Sequence, residues 1–310
     1  MRLEFLESGP ALIVENRERT LVVADLHFGI EFDLASQGWH FRSRSRDRLE
    51  RVVAIAGETG PDRIVLLGDV KHGVPITSRQ EFRELPAILG RLREECPVLI
   101  APGNHDGGLE RFAEEGEMLP MTGAVVDGVG YLHGHTYPDP SLDGMLLVAG
   151  HHHPFVFLKD EVGCALQAPA YLLAPLDDAC IRAGRENRDT RTTSSGKLPG
   201  KPSGKTGKTG KVRKKNQTVT EGTQEMQEAE TGTFETENFP SQKSGKGTRV
   251  LFVPAFNEYA GLDVLRIWKD PTSPLTRCMY GTRAEVFLAD GTPLGPLASL
   301  GGDENARRRT

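Results

Sequence analysis

The sequence is poor in the features that mark membrane proteins and disulfide scaffolds. It contains no run of about 18 apolar residues, which excludes a membrane-spanning helix, and Met1–Thr20 lacks the apolar region of a secretory signal. The four cysteines are far apart and include no CxxC pair: Cys96, Cys164, Cys180 and Cys278. We therefore expect a cytoplasmic protein with no membrane partner, whose thiols are reduced and mostly buried, without zinc knuckles or a disulfide framework.

Aromatic residues are also scarce, at 6% of the chain, but the apolar content of 37% and the formal net charge of −5 are typical of a soluble globular protein. A chain of 310 residues is long enough to bury a sizeable core. Length alone is compatible with one domain or with two.

The segment from Gly184 to Gly247 has almost no residues that could form a core. Its first part, Arg185 to Lys215, has eleven Lys or Arg and two acidic residues, whereas Asn216 to Pro240 has six Glu and no basic residue. A segment with so few apolar side chains cannot offset the entropy lost on ordering. We therefore predict a low-complexity, disordered insertion over residues 184–247.

The basic half of this insertion could hold nucleic acid without sequence preference, because phosphate contacts need only Lys and Arg. A solvated loop with no partner is the alternative. Its repeated GKT might suggest a phosphate-binding loop, but Pro199 and Pro202 occupy the positions where GxxxxGK[ST] needs glycine. We reject that interpretation.

After the insertion the sequence again predicts strands, in RVLFVPAF, LDVLRIW and AEVFLADGTPLG, the last with an Asp-Gly turn. The insertion is therefore expected to be a long loop inside one domain. We assign residues 1–183 and 248–300 to that domain and residues 301–310 to a flexible tail.

Three apolar runs before the insertion, RTLVVADLH, DRIVLLGDV and CPVLIAPGNHD, each end in polar and glycine residues. Such runs, separated by helical stretches, predict buried parallel strands. Between the first two, the helical spacing i, i+3, i+4, i+7 is met by Leu49, Val52, Val53 and Ala56. A second helix is predicted around AILGRLREE, with Pro86 at its start or at a kink. This order, with later strands joined by hairpins, predicts an α/β sandwich with ligand residues at the carboxyl ends of the parallel strands.

The ends of these strands carry residues of the types that bind metals: Asp25 and His27, then Asp69, then Asn104 and His105. Five of the nine histidines follow between Tyr131 and Phe155, namely His133, His135, His151, His152 and His153. In an extended segment, residues two apart point to the same side. Asp25 and His27 can then reach one ion; His151 and His153 can do likewise, while His152 points the other way. Burying so many imidazoles and carboxylates without a cation would be costly, which predicts a metal site.

The order of these motifs resembles the calcineurin-like metallophosphoesterase superfamily. DLH, GDVKH, GNHD, HGH and GHHH match its five motifs in sequence. The form GDVKHG and the tail VPAFNEYAG…SPLTR…DGTPLG are similar to the ICC-like phosphoesterases, which include ligase-associated phosphoesterases. The resemblance covers residues 1–175 and 248–300 and implies a four-layer α/β/β/α sandwich, with the insertion outside the pattern.

The resemblance also implies roles for individual residues. One ion would be held by Asp25, His27 and His153, a second by Asn104, His133 and His151, and Asp69 would bridge both. His105 would stabilise the transition state or protonate the leaving oxygen, with Asp106 orienting it. Lys71 and His72 lie two and three residues after Asp69, so each is a candidate either for contact with substrate phosphate or for a supporting role. His135 and His152 are left for supporting or structural roles.

The chemistry of this ligand set suits phosphate esters. Two divalent ions outweigh the charges of Asp25 and Asp69, so the site would attract a phosphate. Two ions ~4 Å apart can hold a bridging hydroxide in line with phosphorus, and no protein nucleophile is then required. Imidazole, carboxylate and amide donors without thiolate suit Mn, Fe or Zn, and the habit of the family favours Mn.

The leading interpretation is a dinuclear metal-dependent phosphoesterase that hydrolyses phosphodiester bonds in DNA, RNA or nucleotides. A phosphomonoesterase or a cyclic-nucleotide phosphodiesterase is the enzymatic alternative. A non-catalytic interaction subunit on the same fold would show degenerate ligands, which this sequence does not have. A nucleic-acid-binding protein that acts through its basic insertion is the fourth possibility.

Overall fold

A computed structural model describes residues 1–39, 41–159, 165–194, 233–235 and 247–301. The strands in these ranges are β1 Arg2–Phe5, β2 Ala11–Glu15, β3 Arg19–Val23, β4 Arg63–Leu66, β5 Val98–Ile100, β6 Ala124–Val126, β7 Val129–Leu132, β8 Leu146–Ala149, β9 Pro154–Lys159, β10 Ala165–Pro175, β11 Thr233–Glu235, β12 Arg249–Phe252, β13 Leu262–Asp263, β14 Glu285–Leu288 and β15 Pro293–Pro296. The helices are α1 Ile30–Ser36, α2 Ser45–Thr59, α3 Arg79–Glu95, α4 Asp178–Ser194, α5 Val264–Lys269, α6 Pro274–Arg277 and α7 Leu297–Leu300.

The first sheet has the strand order β11-β1-β2-β3-β4-β5, and β3, β4 and β5 are parallel as predicted. Val23 pairs with Leu66, and Leu66 pairs with Ile100, so the three strands end level with one another. The loops that follow these strands therefore leave the sheet at one edge, where the ligand-type residues were expected.

The second sheet has the order β13-β9-β10-β12-β8-β7-β6, and β14 pairs with β10 and β15. Its centre is not built only from hairpins, because β7, β8 and β12 are mutually parallel. Hairpin pairing holds for β6 with β7, β9 with β10 and β14 with β15. The predicted Asp-Gly turn lies in the last of these, where Gly291 has a φ of 87°.

Three apolar layers separate four layers of secondary structure. In β2, Ala11 and Ile13 face the core shared with α2 and α3, whereas Leu12 and Val14 face the core between the two sheets. This alternation is the period-2 geometry of a strand buried on both faces. A third core lies between the second sheet and α4 to α7. The predicted α/β/β/α sandwich is therefore confirmed.

Helices α2 and α3 cover the outer face of the first sheet. The four apolar residues of the predicted first helix are all buried in α2. Helix α3 begins at Arg79 because the side chain of Ser78 accepts from the Glu81 N–H in a capping box. Pro86 therefore lies inside α3, and the prediction that it could start the helix is wrong.

The segment LDVLRIW, predicted as a strand, is mostly helical. Only Leu262 and Asp263 pair as β13, and α5 follows at once. The carboxylate of Asp263 accepts from the Leu265 N–H and starts the helix. Val264 and Ile267, three residues apart, are buried by its inner face, a spacing that also occurs by chance in a short apolar run.

The cysteine prediction is corrected as well. Cys180 in α4 and Cys278, which follows α6, form a disulfide with Cα atoms 5.6 Å apart, although 98 residues separate them in sequence. Cys96 is a free, buried thiol, and burial raises its pKa to about 11. Cys164 lies outside the described residues.

The predicted start of the insertion, Gly184, lies inside α4, which continues to Ser194. Helix α4 is held by the disulfide and by Arg185, whose guanidinium makes two hydrogen bonds of 2.7 and 2.8 Å to Asp143. The rest of the predicted insertion, apart from β11 and Gly247, lies outside the described residues, as does the tail after Gly301. In the part of the chain that the structure describes, no helix is long and apolar enough to span a bilayer.

Candidate metal centre and active site

The structure gathers all seven ligand-type residues where the two sheets end side by side. One group contains Asp25, His27, Asp69 and His153, and a second contains Asp69, His133 and His151. The ligand atoms of each group lie within 4.8 Å of one another. Asn104 joins the second group, since its Oδ1 is 3.3 Å from His133 Nε2. Asp69 belongs to both groups, the position that a bridging carboxylate requires.

In the first group, His153 Nε2 lies 3.2 Å from Asp25 Oδ1, and His27 Nε2 lies 3.7 Å from Asp69 Oδ2. Two ligands of one ion, bound at about 2.0–2.2 Å, are separated by distances of this size. Asp25 is fully buried, while 22% of the His153 side chain is exposed. The group therefore opens to solvent at His153.

In the second group, His133 is fully buried and its ring is held by the backbone. Its Nδ1 donates to the carbonyl oxygen of Leu67 at 2.7 Å, because a carbonyl can only accept. This leaves Nε2 facing Asn104 and Asp69, whose Oδ2 is 3.4 Å away. A ligating histidine is usually fixed in this way, by a hydrogen bond from its other ring nitrogen.

The sequence analysis assumes an extended backbone for Asp25 with His27 and for His151 with His153. The structure shows that the backbone at these ligands is not extended. Six non-glycine residues in the described ranges have φ between 46° and 71°, and five of them are expected ligands: Asp25, His27, Asp69, His151 and His153. Left-handed conformations cost about 1–3 kcal/mol each and cluster at functional sites. The pairs still reach common centres, but through tight turns after the strands.

Glycines in the motifs allow these turns to pack closely. A Cβ on Gly103 would lie 2.1 Å from Asp69 Oδ1, and a Cβ on Gly150 would lie 2.7 Å from Asp25 Oδ2. The carboxylates in turn accept backbone N–H groups, with Asp69 bound by His105 at 2.8 Å and Asp25 by His151 at 3.0 Å. Each carboxylate therefore fastens a loop that carries another ligand.

The protonation states suit metal binding. Burial raises the pKa of Asp25, but His153 and His133 outweigh this and hold it below its usual value. Burial lowers the pKa values of His27 and His151 to about 3, so both rings are neutral at pH 7. Ionised carboxylates and neutral imidazoles are the forms that bind divalent ions.

His153 differs, because burial lowers its pKa but the hydrogen bond and charge of Asp25 raise it above the usual value. His133 also differs, because a carboxylate holds a proton on it. Burial lowers its pKa, but the bond to Asp69 and the charges of Asp25 and Asp69 raise it to about 9. Because Nδ1 already donates to Leu67, the proton favoured by this shift is the one on Nε2, which faces Asp69 Oδ2 at 3.4 Å; a cation bound by both residues would replace it. The donor set, which contains no thiolate, fits Mn, Fe or Zn.

His105 stands beside the two groups. Its Nδ1 lies 2.6 Å from the carbonyl oxygen of His72 and donates to it, and its Nε2 is 4.0 Å from Asp69 Oδ2. The resemblance implies that the carboxylate of Asp106 orients this ring, but in the structure it binds elsewhere. It is buried and accepts from the backbone N–H groups of Gly103 at 2.8 Å and Lys71 at 3.2 Å. Asp106 therefore ties together the two loops that carry Asn104 and Asp69.

The side chains of Lys71 and His72 have different surroundings in the structure. Lys71 is fully buried and its ammonium donates to the Gly73 carbonyl, which fits the supporting role and not contact with substrate phosphate. His72 does lie at the rim, with its Nδ1 3.2 Å from His27 Nδ1 and its ring stacked on His105. His72 thus contacts both an expected ligand and the expected proton donor.

The two remaining histidines have different surroundings. His152 is buried, and its Nε2 is 2.7 Å from the Ser273 hydroxyl, away from the metal groups. His135 lies against His133 and His151, with ring centroids 5.2 and 6.0 Å away, and burial lowers its pKa to about 4. The supporting carbonyl groups of Leu67 and His72 were not predicted, since a backbone group leaves no signal in residue identity.

The chain is similar to two solved structures. The Pseudomonas putida nuclease MPE is 17% identical, with a TM-score of 0.36 over 52% of this chain and 80% of that one. The E. coli phosphoesterase YfcE is 20% identical, with a TM-score of 0.30 over 46% of this chain and 73% of that one.

The family model for calcineurin-like phosphoesterases matches residues 18–174, which include every expected ligand, His105 and Asp106. This match extends over half of the 310 residues. With the clustered Asp and His side chains described above, it makes the protein a metal-dependent phosphoesterase. The chain belongs to the calcineurin-like phosphoesterase family.

Proposed function

We propose that this phosphoesterase hydrolyses phosphodiester bonds, in nucleic acid or nucleotides, with two divalent ions of which Mn is the first choice. Asp25, His27 and His153 would hold one ion, Asn104, His133 and His151 the other, and Asp69 both. Bound there, the ions would supply Lewis-acid activation of water and charge neutralisation at phosphorus. The remaining tasks, which are to orient the phosphate and to move a proton, fall to the side chains around them.

The observation that favours a diester is the charge of the cavity beside the centre. This cavity, of about 410 Å³, reaches from His72 and His105 to Phe32, Val74 and Ile76. None of its eleven lining residues is Lys or Arg, and two, Asp33 and Glu81, are acidic. A monoester carries up to two charges on its phosphate and a diester carries one, so acidic groups in a lining without Lys or Arg repel the monoester more strongly.

His105 is placed to transfer a proton. The His72 carbonyl holds Nδ1–H, so the ring presents Nε2 toward the phosphate position, and 27% of the side chain is exposed. When Nε2 is protonated, it can donate to the leaving oxygen, which a diester requires because an alkoxide is a poor leaving group. Losing such a general acid typically costs a factor of roughly 10²–10⁴ in rate.

Hydrolysis of phosphomonoesters or cyclic nucleotides is the second candidate, since the same metal groups could serve either reaction. The test is an activity panel with Mn on bis-p-nitrophenyl phosphate, p-nitrophenyl phosphate, 2′,3′-cyclic nucleotides, single-stranded DNA and duplex DNA. We expect the diester to be hydrolysed much faster than the monoester. A monoester preference, or cyclic nucleotides as the best substrate, would reject the proposal.

A matched pair of variants separates the centre from general effects of mutation. Asp69→Asn removes the shared carboxylate and should lower occupancy of both metal positions and abolish turnover. Asp127→Asn is the control, because Asp127 has almost the same φ (46° against 47°) but binds the backbone N–H groups of Arg17 and Glu18 in a distant turn. Elemental analysis should find about two Mn per chain in the control. Unaltered metal content in Asp69→Asn would contradict the shared-ligand arrangement.

A further inference from the structure

A row of exposed aromatic rings lies next to the metal centre. Trp39, Phe41 and Tyr259 are 62%, 49% and 37% exposed, in a chain with few aromatic residues. The rings of Trp39 and Phe41 are almost parallel, at 6°, with centroids 6.4 Å apart. Phe41 continues to Tyr259 at 5.8 Å and 36°. Three large apolar rings are thus held together in solvent instead of being buried.

The row is joined to the expected ligand His27 by one side chain. The guanidinium of Arg48 lies 5.9 Å from the centre of the Tyr259 ring. Its Nη1 is 3.4 Å from the carbonyl oxygens of both Leu26 and His27. Asn257 also donates to the Leu26 carbonyl and accepts from the Tyr259 N–H. The Arg48 side chain therefore connects Tyr259 with the backbone of His27 in the first metal group, and Asn257 fixes the backbone of Tyr259.

Several basic residues follow the first two rings of the row in sequence. In the sequence WHFRSRSR, arginines at positions 42, 44 and 46 directly follow the aromatic residues, and all three are exposed. Arg44 pairs with Glu258 at 3.0 Å, whereas Arg42 forms no ion pair with any residue that the structure describes. Aromatic side chains with neighbouring Arg are typical of proteins that bind single-stranded nucleic acid, because bases stack on the rings while cations attract the phosphates.

We propose that Trp39, Phe41 and Tyr259 form a stacking platform for unpaired nucleobases of the strand whose phosphate lies in the metal centre. This inference rests on the proposed function. In a duplex the faces of the bases are covered by their neighbours, so only single-stranded or locally unpaired substrate can use the platform. The platform binds bases of any sequence, because every base has an aromatic face.

The test uses two competitors of equal length and charge against hydrolysis of bis-p-nitrophenyl phosphate by the Mn-loaded full-length protein. One is oligothymidylate, and the other is an oligomer of abasic nucleotides. The inhibition constant is measured for each, whether or not the oligomer is itself cleaved. Stacking should make oligothymidylate bind on the order of ten- to a hundredfold more tightly than the abasic oligomer.

Trp39→Ala and Phe41→Ala should each remove most of this difference and leave binding of the abasic oligomer as it was. Trp39→Phe, which keeps an aromatic ring, should restore much of it. Phe157→Ala is the matched control, because Phe157 is an aromatic residue of similar exposure, 44%, on β9 outside the row. Equal inhibition by both oligomers in the wild-type protein, or an unchanged ratio in Trp39→Ala and Phe41→Ala, would overturn the platform.

A failure of the proposed function can be distinguished from a failure of the platform. If the protein hydrolyses no diester, that proposal is rejected, and the two oligomers are then compared by fluorescence anisotropy with the same variants. If the rings instead join two copies of the chain, Trp39→Ala will shift the oligomeric state in light scattering and leave the oligomer ratio unchanged. That result also overturns the platform.

Discussion

The buried carboxylate of Asp106 offers the sharpest test of how the centre is held. Only 3% of the residue is exposed, and its two oxygens accept from the N–H groups of Gly103 and Lys71. Gly103 precedes Asn104, and Lys71 lies two residues after Asp69. The substitution Asp106→Asn keeps the shape and one acceptor oxygen, but turns an NH₂ group toward the other backbone N–H.

The magnitude follows from these two contacts. One hydrogen bond to a charged acceptor is lost, and a buried N–H is left opposite another donor, which costs about 1.5–3 kcal/mol in the free energy of unfolding. The loops that carry two expected ligands are then less well fixed. Removing a partner that orients metal ligands typically weakens metal binding by a factor of about 10–100, so we expect Mn affinity to fall in that range.

Denaturant unfolding measures the first effect, and calorimetric titration of the metal-free protein with Mn measures the second. At saturating Mn, Asp106→Asn should regain most of its turnover of bis-p-nitrophenyl phosphate, because His105 is oriented by the His72 carbonyl and not by Asp106. Turnover that stays as low as in His105→Ala, with unchanged Mn affinity, would refute this reasoning. It would restore the role of Asp106 as the partner of His105.

Other expectations concern catalysis and stability. His105→Ala should reduce turnover by roughly 10²–10⁴-fold with Mn still bound, whereas His152→Ala should lower the free energy of unfolding and leave turnover unchanged. Elemental analysis measures the bound Mn, and denaturant unfolding measures the stability of each variant. Normal turnover in His105→Ala together with lost turnover in His152→Ala would contradict the assignment. Glu117→Gln should cost about 1.5–3 kcal/mol at neutral pH, because hydrogen bonds of 2.7 Å from Arg93 hold the pKa of Glu117 below its ordinary value. The stability that the Glu117 carboxylate contributes is present above its unfolded-state pKa and is lost as pH falls through its lowered pKa in the folded protein. The free energies of urea unfolding of the wild-type protein and Glu117→Gln should therefore converge in acid. A difference between them that persists in acid would reject the Arg93–Glu117 interaction as the cause. Cys278→Ser should lower the unfolding free energy by up to about 4.7 kcal/mol, the value for a loop of ~100 residues, and a reductant should destabilise only the wild-type protein.

The sequence by itself determined the kind of centre and the edge of the sheet where it forms. Short apolar runs that end in glycine and polar residues favour buried strands, and parallel strands bring the residues that follow them to one edge. Asp25, Asp69 and Asn104 each follow such a run, so their meeting was predictable from order alone. The periodic apolar positions of α2 were equally direct, because a helix of that spacing has one face to bury.

Only the tertiary structure decided which groups contact one another across that edge. Lys71 and His72 are adjacent in sequence, yet one is buried against the Gly73 carbonyl and the other stacks on His105. Asp106 follows His105 but binds the backbone of another loop. Left-handed turns at the ligands set these directions, and a turn that is costly by itself is stable only when the surrounding carboxylates and glycines hold it.

The disulfide and the aromatic row show the same limit over longer distances. Cys180 and Cys278 are brought together because α4 and α6 both pack on the second sheet, a contact that residue spacing does not record. The Tyr259 ring contacts Phe41 directly across more than 200 positions, and the Arg48 guanidinium lies over the same ring. Contacts between distant segments depend on how the layers of helices and sheets stack. The packing of the whole domain determines this stacking, and no local sequence pattern does.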